Sequence, residues 1–345
     1  MPDVLQADLE RFCAQVLIGA GVPEADAEII VASIVYAHGT GKGTHGASRL
    51  PIYVHRLKQG LMQPETPLTE LSAAPAMALL DAGDGFGQVA AIRGMDRAVA
   101  MARETGIGMV GIRHSHNFGT AAFIAAHGVG QGMAVQIFSN AAPAIAPTGG
   151  QRAVFGTNPM AWGFPTPEGH PPIIFDMATS QVARGKIRLA QTNGESIPGD
   201  WALDANGQPT TDPDAALAGS MLPLGGAKGY GLSLVVDVMA GLMTRSASGG
   251  QARNLNTPDG PSRCGHMLLA IDLDRLLPRE EYDAQMAALI TATKAAGAEG
   301  AVSLPGERAA RTLAAQGSRV PLSEAVLAKL DALAAETNVA ALGRA

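Results

Sequence analysis

The stretch Gly39-Thr-Gly-Lys-Gly-Thr-His-Gly-Ala-Ser-Arg-Leu-Pro51 is a glycine-rich bend between two segments with a helical pattern. It places His45 and Arg49 four positions apart. Histidine exchanges a proton near neutral pH, and arginine presents a planar pair of donors that matches a carboxylate. The bend therefore predicts a site for a small organic acid. The alternative is a structural bend, in which Thr44 or Ser48 caps a helix, His45 packs nearby and Arg49 faces water.

Helical periodicity continues on both sides of the bend. Apolar spacing predicts one helix over residues 3–20 and a second from Pro23 to Gly39. A third helix is predicted between the bend and Gly60, so the N-terminal region is a helical unit. Residues 61–75 are rich in turn formers and predict a connector.

Beyond the connector, short apolar runs alternate with helical segments. Strands are predicted at Met77–Asp81, Gly108–Ile112, Met133–Phe138, Met160–Phe164, Ile173–Asp176 and His266–Leu273. Helices are predicted over Val89–Thr105, Ala121–Val129, Ala183–Gln191, Gly229–Met243, 280–297 and 322–337. The connection over 139–160 has no helical pattern, which favours a mixed sheet over a regular doubly wound one. The fold class is therefore α/β with a large mixed sheet.

One glycine motif resembles a nucleotide-binding fingerprint, but its context does not support that function. Gly106-Ile-Gly-Met-Val-Gly111 has the letters G-x-G-x-x-G. The true fingerprint follows a strand and opens a helix, so that a pyrophosphate meets the helix N-terminus. Here a predicted helix precedes the motif, and Met109–Ile112 has the pattern of the strand. We therefore interpret Gly106 as the end of a helix and do not predict a Rossmann fold.

Composition excludes several classes of function. A net charge of -6 without a basic run argues against nucleic acid as a partner. The distant cysteines Cys13 and Cys264 indicate no disulfide framework and fit a reducing cytoplasm. The N-terminus lacks a signal-peptide pattern, and no apolar run reaches the ~18 residues that a membrane helix requires. We therefore expect a cytoplasmic globular protein that does not span a membrane.

Polar or glycine-rich loops follow several predicted strands, a position that commonly faces a ligand. Arg113–Thr120 contains His114 and His116, but no acidic or cysteine partner lies at a matching spacing, so we predict no metal. Asn140–Gly150 and Gly156–Pro159 are long loops of the kind that are often functional in compact domains.

Three further loops offer groups for an anion. Asp176–Ser180 brings a carboxylate and hydroxyls to a helix start, although capping alone could explain it. Leu224–Leu232 opens an apolar helix, where backbone N–H groups and Lys228 favour a phosphate. This loop is not a Walker motif, because no Ser or Thr follows its lysine. Pro305–Arg308 is a second short turn that leads into a helix.

Together these segments resemble one family, the malate/L-lactate dehydrogenase family of the sulfolactate-dehydrogenase-like type. The resemblance covers nearly the whole chain. It rests on Thr44-His-Gly-x-x-Arg49, His116-Asn-Phe-Gly119, Gly156-Thr-Asn-Pro159, Phe175-Asp-Met-Ala-Thr-Ser180, Pro209-Thr-Thr-Asp-Pro213, Leu224-Gly-Gly-x-Lys-Gly-Tyr-Gly-Leu232 and Leu304-Pro-Gly-Glu307. The family is unrelated to the Rossmann-fold lactate and malate dehydrogenases. It includes malate, sulfolactate and ureidoglycolate dehydrogenases, diketogulonate reductase, and reductases of piperideine- and pyrroline-2-carboxylate.

The resemblance implies an architecture. A helical domain is expected over residues 1–70, joined by the C-terminal helical region 305–345. A mixed α/β domain that binds the cofactor is expected over 71–304. The resemblance also implies an intimate homodimer with the cleft near the interface, NAD(H) or NADP(H) as cofactor, and a small carboxylate as substrate.

The resemblance implies roles for individual residues as well. His45, with the Thr44 hydroxyl beside it, would carry the proton at the substrate's C2, and Arg49 would hold the carboxylate. In some members the histidine that matches His116 has this role, so the proton carrier stays open between the two histidines. Lys186 is a further catalytic candidate and Thr157 a substrate-binding one. The cofactor-binding candidates are His116, Asn117, Phe118, Gly119, Thr120, Asn140, Asp176, Met177, Ala178, Thr179, Lys228, Gly229, Pro305, Gly306, Glu307 and Arg308.

Two departures from the family pattern bear on the substrate. Thr44 stands where serine is usual, which keeps the hydroxyl and stiffens the side chain. Lys186 stands where the cyclic-imine reductases tend to carry an aspartate. A cation there favours a 2-oxo or 2-hydroxy acid, with cyclic ketimine reduction as the alternative. The structural alternative for Lys186 is a solvated helix residue.

The sequence fits two other classes of function less well. A hydrolase with Thr44 as nucleophile is disfavoured, because adjacent residues rarely place a nucleophile and its base correctly and the chain has no G-x-S-x-G elbow. A binding protein that keeps the nucleotide loops without turnover is the third alternative.

Overall fold

A seven-stranded mixed sheet lies at the centre of the molecule, in a computed structural model that describes residues 2–343. The strands are β1 (Asp3–Leu5), β2 (Thr69–Ala74), β3 (Met77–Gly85), β4 (Ile107–Ser115), β5 (Ala134–Ser139), β6 (Met160–Phe164), β7 (Ile173–Met177), β8 (Ala202–Leu203), β9 (Ser220–Met221), β10 (Cys264–Ile271) and β11 (Arg319–Pro321). The helices are α1 (Gln6–Gly19), α2 (Glu24–Gly39), α3 (Leu50–Lys58), α4 (Gly87–Thr105), α5 (Ala121–Gly130), α6 (Arg184–Asn193), α7 (Pro213–Ala218), α8 (Ala227–Val236), α9 (Arg279–Ala295), α10 (Glu307–Gln316) and α11 (Glu324–Thr337).

The central sheet has the strand order β2-β3-β4-β10-β5-β6-β7. Strands β3 and β4 pair in parallel, and the other neighbours are antiparallel, which confirms the prediction of a mixed sheet. Strand β10 lies between β4 and β5, although it comes from much later in the chain. It is almost wholly buried, and it brings the ends of β4 and β5 to one place.

The interpretation of the glycine motif is confirmed. Gly106 ends α4 in the left-handed conformation, with φ of 90°, and β4 begins at the next residue. A positive φ is readily adopted by glycine because it has no Cβ. The motif is therefore a helix end that enters a strand.

Three sequence-based boundaries were wrong. The helix expected over 3–20 begins later, because residues 3–5 form β1 and pair with β11 near the other end of the chain. The connector over 61–75 contains β2, an edge strand with every residue exposed, so it lacks the apolar alternation that indicates a strand. The helix expected over 229–243 is α-helical only to Val236 and continues as a π-helix over Asp237–Leu242.

The interior is divided between two main clusters of buried side chains. One joins α1, α2 and α3 to β11 and α11, with Tyr53 and Leu330 among its buried members. The other fills the space between the sheet and helices α4 and α5. This division supports the two-domain organisation, which we retain as a proposal. Within residues 2–343, no helix has the length and apolar character needed to cross a membrane.

Candidate active site

The bend between α2 and α3 is formed by two successive 3-10 turns, Gly43–His45 and Ala47–Arg49. The His38 ring fixes it from α2, because its Nε2 accepts a hydrogen bond from the Ala47 N–H at 2.9 Å. A Cβ at Gly46 would collide with the same ring, so only glycine fits there. The glycines of the stretch therefore allow the tight path that presents His45 and Arg49.

The His45 side chain is half-buried and lies beside a hydroxyl. Thr44 Oγ1 is 3.1 Å from His45 Nδ1. Burial, followed by the positive charge of Arg49, lowers the pKa of His45 to about 4, with Asp176 acting in the opposite direction and Lys42 in the same one. The imidazole is therefore neutral at pH 7 and able to accept a proton.

Only one nitrogen of the Arg49 guanidinium group is hydrogen-bonded to the described part of the protein. Its Nε donates to the Thr44 carbonyl at 2.8 Å. Among residues 2–343, no carboxylate forms an ion pair with it, and its two terminal nitrogens donate to no protein acceptor. The open end of the guanidinium can therefore bind a carboxylate through two parallel hydrogen bonds.

An ion pair ties the bend to the sheet. Lys42 Nζ lies 2.5 Å from Asp176 Oδ2 in β7, and the same oxygen accepts from the Ala122 N–H at 3.2 Å. Burial and the Asp176 charge raise the pKa of Tyr36 to about 12. Sequence reasoning missed Lys42, although it lies three residues before His45 in the same bend.

His116 occupies a different environment. It is fully buried, and neither ring nitrogen makes a hydrogen bond of ordinary geometry within residues 2–343, although the carbonyls of Leu61 and Asp84 lie close. Burial, followed by the charge of Arg56, lowers the pKa of His116 to about 3. No hydrogen bond or ion pair between described residues joins it to His45. The two candidates for the proton carrier therefore occupy different environments.

Arg113 and His114, which lie near the end of β4, contact a carboxylate from β3. Arg113 Nε lies 2.7 Å and His114 Nδ1 3.2 Å from the Asp81 carboxylate. His114 adopts a positive φ of 48°. Within the described residues no group of three or more metal-binding side chains lies together.

The residues just after His116 form a turn supported by β10. Asn117 Oδ1 accepts from the Gly119 N–H at 3.1 Å, and Phe118 stacks on His266 with ring centroids 4.8 Å apart. Thr120 precedes α5, and its buried hydroxyl has no protein partner within residues 2–343. The buried Thr120 hydroxyl, without a protein partner among the described residues, is the kind of polar atom that a bound polar ligand satisfies, so this segment fits a cofactor.

His266 is itself fixed by two serine hydroxyls. Its Nε2 lies 2.8 Å from Ser115 Oγ, and its Nδ1 lies 2.9 Å from Ser139 Oγ. The Ser139 hydroxyl donates its proton to the Asn140 carbonyl at 3.1 Å. These contacts assign the proton of the neutral His266 ring to Nδ1, which faces Ser139, and the acceptor role to Nε2, which faces Ser115; the carbonyls of Gly265 and His116 also lie close to the ring. Burial lowers the pKa of His266 to about 3, which agrees with this neutral tautomer.

The candidates around β5 to β7 are held mainly by protein groups. The Asn140 amide donates to the Ala247 carbonyl and accepts from the Gly265 N–H. The Thr157 carbonyl accepts from both the N–H and the hydroxyl of Thr179, at 2.9 and 3.1 Å. Met177 and Ala178 are half-buried beside them. The side chains and the backbone N–H groups of Asn140 and Thr179 are therefore both engaged within the protein.

The loop before α8 has an open surface. Gly225 and Gly226 both have positive φ, and Lys228 is exposed in the first turn, while a Cβ at buried Gly229 would strike the Leu224 carbonyl. A cavity of about 590 Å³ borders this loop, lined by Pro147, Thr148, Gly149, Gly150, Gln151, Gln181, Asp200, Leu203, Gly207, Pro209, Leu222, Pro223, Gly225 and Gly226. His45 and Arg49 are not among the residues that line it, so the cavity lies at the glycine loop and not at the bend.

The turn before α10 packs on the edge of the sheet. The Pro305 carbonyl accepts from the Ile174 N–H at 3.1 Å, and Gly306 has a φ of 95°. Glu307 forms an ion pair with Lys294 at 2.6 Å and accepts from the Leu304 N–H. The Glu307 carboxylate is therefore occupied within the protein, whereas Arg308 is exposed.

Lys186 is exposed near the start of α6. A Cβ on its neighbour Gly185 would lie 3.8 Å from Thr44 Cγ2, so this end of α6 packs beside the bend. The structure therefore places Lys186 on an element that adjoins the Thr44–Arg49 segment. No described ion pair occupies its ammonium group.

Comparisons with known proteins agree with this arrangement. The chain is 37% identical over 328 residues to (2R)-3-sulfolactate dehydrogenase (NADP(+)) of Chromohalobacter salexigens, covering 95% of this chain and 96% of that protein. It is 35% identical to a Δ1-pyrroline-2-carboxylate reductase of Ancylobacter novellus, covering 95% and 96%. The sulfolactate dehydrogenase structure from Methanocaldococcus jannaschii superposes with a TM-score of 0.92 at 31% identity, covering 98% of each chain.

The family model for malate/L-lactate dehydrogenase matches residues 4–331, which includes the bend, the sheet and the glycine loop. The match confirms the family resemblance and the non-Rossmann fold that the sequence predicted. The chain belongs to the malate/L-lactate dehydrogenase family.

Proposed function

We propose that this chain transfers a hydride between a nicotinamide cofactor and C2 of a small 2-oxo or 2-hydroxy acid. As a member of its family it is an NAD(P)-dependent dehydrogenase or reductase. The cofactor, when bound, supplies or accepts the hydride. The observation that carries the proposal is the pairing of a neutral His45 with an Arg49 whose guanidinium end is open.

In this proposal Arg49 binds the substrate carboxylate and thereby fixes the position of C2. His45 takes the hydroxyl proton during oxidation and returns it to the oxygen during reduction. Thr44 orients the imidazole through Nδ1. A bound substrate carboxylate adds negative charge beside His45, which raises its pKa towards neutrality and favours the proton transfer. General acid–base help of this kind contributes about 10²–10⁴-fold in rate.

The environments of the two histidines favour His45 as the proton carrier over His116. His45 is half-buried at a bend that also carries Arg49, whose guanidinium end is open. His116 is fully buried beside Arg56. We propose that His116 instead supports the cofactor-binding turn, together with Asn117, Phe118, Gly119 and Thr120.

The remaining cofactor contacts are proposed on the same basis. The first turn of α8, with Lys228 and Gly229, offers unpaired N–H groups and a cation suited to the pyrophosphate. The loops Asp176–Thr179 and Pro305–Gly306 and the turn at Asn140 border the proposed surface, with Arg308 exposed at its edge. Glu307 and the Asn140 amide support the loops and do not contact the cofactor in this proposal.

The substrate is proposed to be an anionic oxo acid. Lys186 adjoins the bend and adds positive charge to that of Arg49, which suits an anion better than a cationic iminium. Malate- or sulfolactate-like acids are therefore the first candidates. Reduction of a cyclic ketimine is the second candidate, because a pyrroline-2-carboxylate reductase is among the close relatives.

We further propose a cytoplasmic homodimer. Helix α8 and the π-helix after it expose an apolar face, with Val235 at 48%, Val238 at 39% and Leu242 at 63% exposure. Leucine and valine side chains at these spacings share one side of a helix. A second copy of the chain would bury this face, and the glycine loop at the start of α8 would then lie next to the interface.

The test is a substrate panel assayed with both NADH and NADPH. The panel contains oxaloacetate, pyruvate, sulfopyruvate, Δ1-pyrroline-2-carboxylate and Δ1-piperideine-2-carboxylate. Turnover of an oxo acid at a kcat/KM at least tenfold above that of either imine supports the first candidate. The reverse order supports the ketimine reductase. Binding of cofactor without turnover of any member contradicts the proposal.

A further inference from the structure

The ion pair between Lys42 and Asp176 joins the bend to a strand that is 134 residues away in sequence. The pair is partly shielded from water, with side-chain exposures of 36% and 12%. Asp176 also accepts from the Ala122 N–H in the first turn of α5. This single carboxylate therefore connects the bend to the segment that follows His116.

The charges that face His45 come from three elements packed around it. Its own bend supplies two cations, Lys42 and Arg49, and β7 supplies one anion, Asp176. Lys186 belongs to α6, which packs beside Thr44.

The titratable groups in the last turn of α2, which adjoins the bend, add no charge. His38 accepts a hydrogen bond through Nε2, and burial lowers its pKa to about 4, so its ring is neutral. The Tyr36 hydroxyl is neutral because its pKa is raised to about 12. Among the charges that act on His45 within residues 2–343, Asp176 is the carboxylate, so the charge balance next to His45 depends on whether Asp176 is matched by a cation.

We propose that Lys42 is a positioning residue that neutralises Asp176 beside His45 and holds the His45–Arg49 bend against β7. The effect of Lys42 on catalysis rests on the proposed function. Arg49 is then left free for the substrate carboxylate, because Asp176 already has a partner. Without Lys42, Asp176 would place an unmatched negative charge near His45, where it disfavours a bound substrate carboxylate.

Removing Lys42 and removing Asp176 should shift the pKa of His45 in opposite directions. In Lys42→Met, the unpaired Asp176 carboxylate stabilises the imidazolium, so the pKa of His45 rises by about one unit. In Asp176→Asn, Lys42 is left as an unmatched cation and the pKa of His45 falls. The double variant removes both charges, so the pKa of His45 returns close to that in the unmodified protein. In Lys42→Met the KM for the oxo acid also rises. In Lys42→Arg the pKa of His45 and the KM both stay close to those of the unmodified protein.

The test measures the His45 titration by NMR on protein with 13Cε1-labelled histidine, with the resonance assigned through His45→Gln. The variants are Lys42→Met, Lys42→Arg, Asp176→Asn and the double substitution. Lys58→Met is the matched control, since it breaks an exposed ion pair with Glu336 of 2.7 Å outside the site. Urea unfolding at pH 7 checks that each variant is folded.

Opposite displacement of the His45 titration in Lys42→Met and Asp176→Asn, with recovery in the double variant, supports the proposal. An unchanged His45 titration in both folded single variants overturns it, as does displacement in the same direction. A Lys42→Met variant that does not fold is replaced by Lys42→Gln, which is judged by the same shift. The pKa of His45 can be measured without turnover. If the pKa shifts as expected but the protein reduces no substrate of the panel, the proposed function is refuted and the role of Lys42 stands.

Discussion

At the scale of single residues, the candidate site depends on how one short bend is held. His45, Thr44 and Arg49 were identified from sequence because they lie within one local motif, and the structure brings them together. Lys42 could not be assigned, because its function depends on Asp176, which folding brings to it from a distant strand. Local sequence reveals which groups are available, whereas their charge environment is a property of the fold.

Arg49→Lys tests the carboxylate site. Lysine keeps the charge but loses the planar fork and the Nε hydrogen bond to the Thr44 carbonyl. We expect the KM for the oxo acid to rise at least tenfold, corresponding to about 1.4 kcal/mol. Steady-state kinetics measure the change, and a fluorescence titration with NADH or NADPH should show an unaltered Kd. A KM equal to that of the unmodified enzyme would remove Arg49 from substrate binding.

At the scale of elements, strand β10 organises the sheet next to the site. The sequence predicted this strand but not its place between β4 and β5, because strand order depends on contacts between distant segments. Its His266 links Ser115 at the end of β4 to Ser139 at the end of β5 and stacks on Phe118. This arrangement had no sequence signature, since its members come from three separate strands and a loop.

His266→Leu tests the role of this buried histidine. Leucine leaves Ser115 without its partner and deprives Ser139 of its donor in a dry interior, so the free energy of unfolding should fall by about 2 kcal/mol at pH 7. Urea unfolding measures the change. His127→Gln is the control, because His127 lies at the surface beside Asp96 and should change stability by less than about 0.5 kcal/mol. Equal stabilities for the two variants would contradict the hydrogen-bonding scheme.

At the scale of the whole molecule, buried neutral histidines should make stability depend on pH. Burial holds the pKa of both His116 and His266 near 3, below the value of about 6.5 in the unfolded chain. Below pH 6.5 the unfolded chain therefore binds more protons than the folded protein. The stability that these groups provide is present above pH 6.5 and is lost as the pH falls towards 3.

The pH dependence can be separated into contributions from single histidines. Each of the two histidines contributes a slope of about 1.4 kcal/mol per pH unit between pH 6 and 4. The His266→Leu variant should take up one proton fewer on unfolding than the unmodified protein. Its free energy of unfolding should therefore depend less steeply on pH. The gap between the two proteins should narrow as the pH falls. Parallel pH profiles in urea unfolding experiments would show that His266 is not held neutral by the fold.

The proposed dimer is also a property of the whole molecule. Val238→Arg with Leu242→Arg places two charges on the apolar face of α8 and its π-helical extension, and the desolvation of these charges should prevent association. Sedimentation velocity should show a dimer for the unmodified chain and a monomer for the double variant. Leu276→Arg, at a leucine that is 71% exposed elsewhere, is the control and should remain dimeric. A monomeric unmodified chain would contradict the dimer.

Much of the fold could be predicted because periodicity is local. Apolar spacing predicted the mixed sheet and the longer helices. The placement of glycine predicted the end of α4 at Gly106. The pairing of β1 with β11 and the exposed strand β2 could not be predicted, because each depends on a partner that periodicity does not identify. The π-helical turn after Val236 has no distinct apolar period of its own.

The central claim is that His45 carries the proton, and the kinetics of His45→Ala test it most directly. The measurement is single-turnover reduction of the best oxo acid by the unmodified protein, His45→Ala and His116→Ala, with the cofactor Kd determined for each. We expect His45→Ala to lose about 10²–10⁴-fold in the rate of the chemical step with an unaltered cofactor Kd. Near-normal turnover in His45→Ala, together with loss of turnover and normal cofactor binding in His116→Ala, would contradict the account.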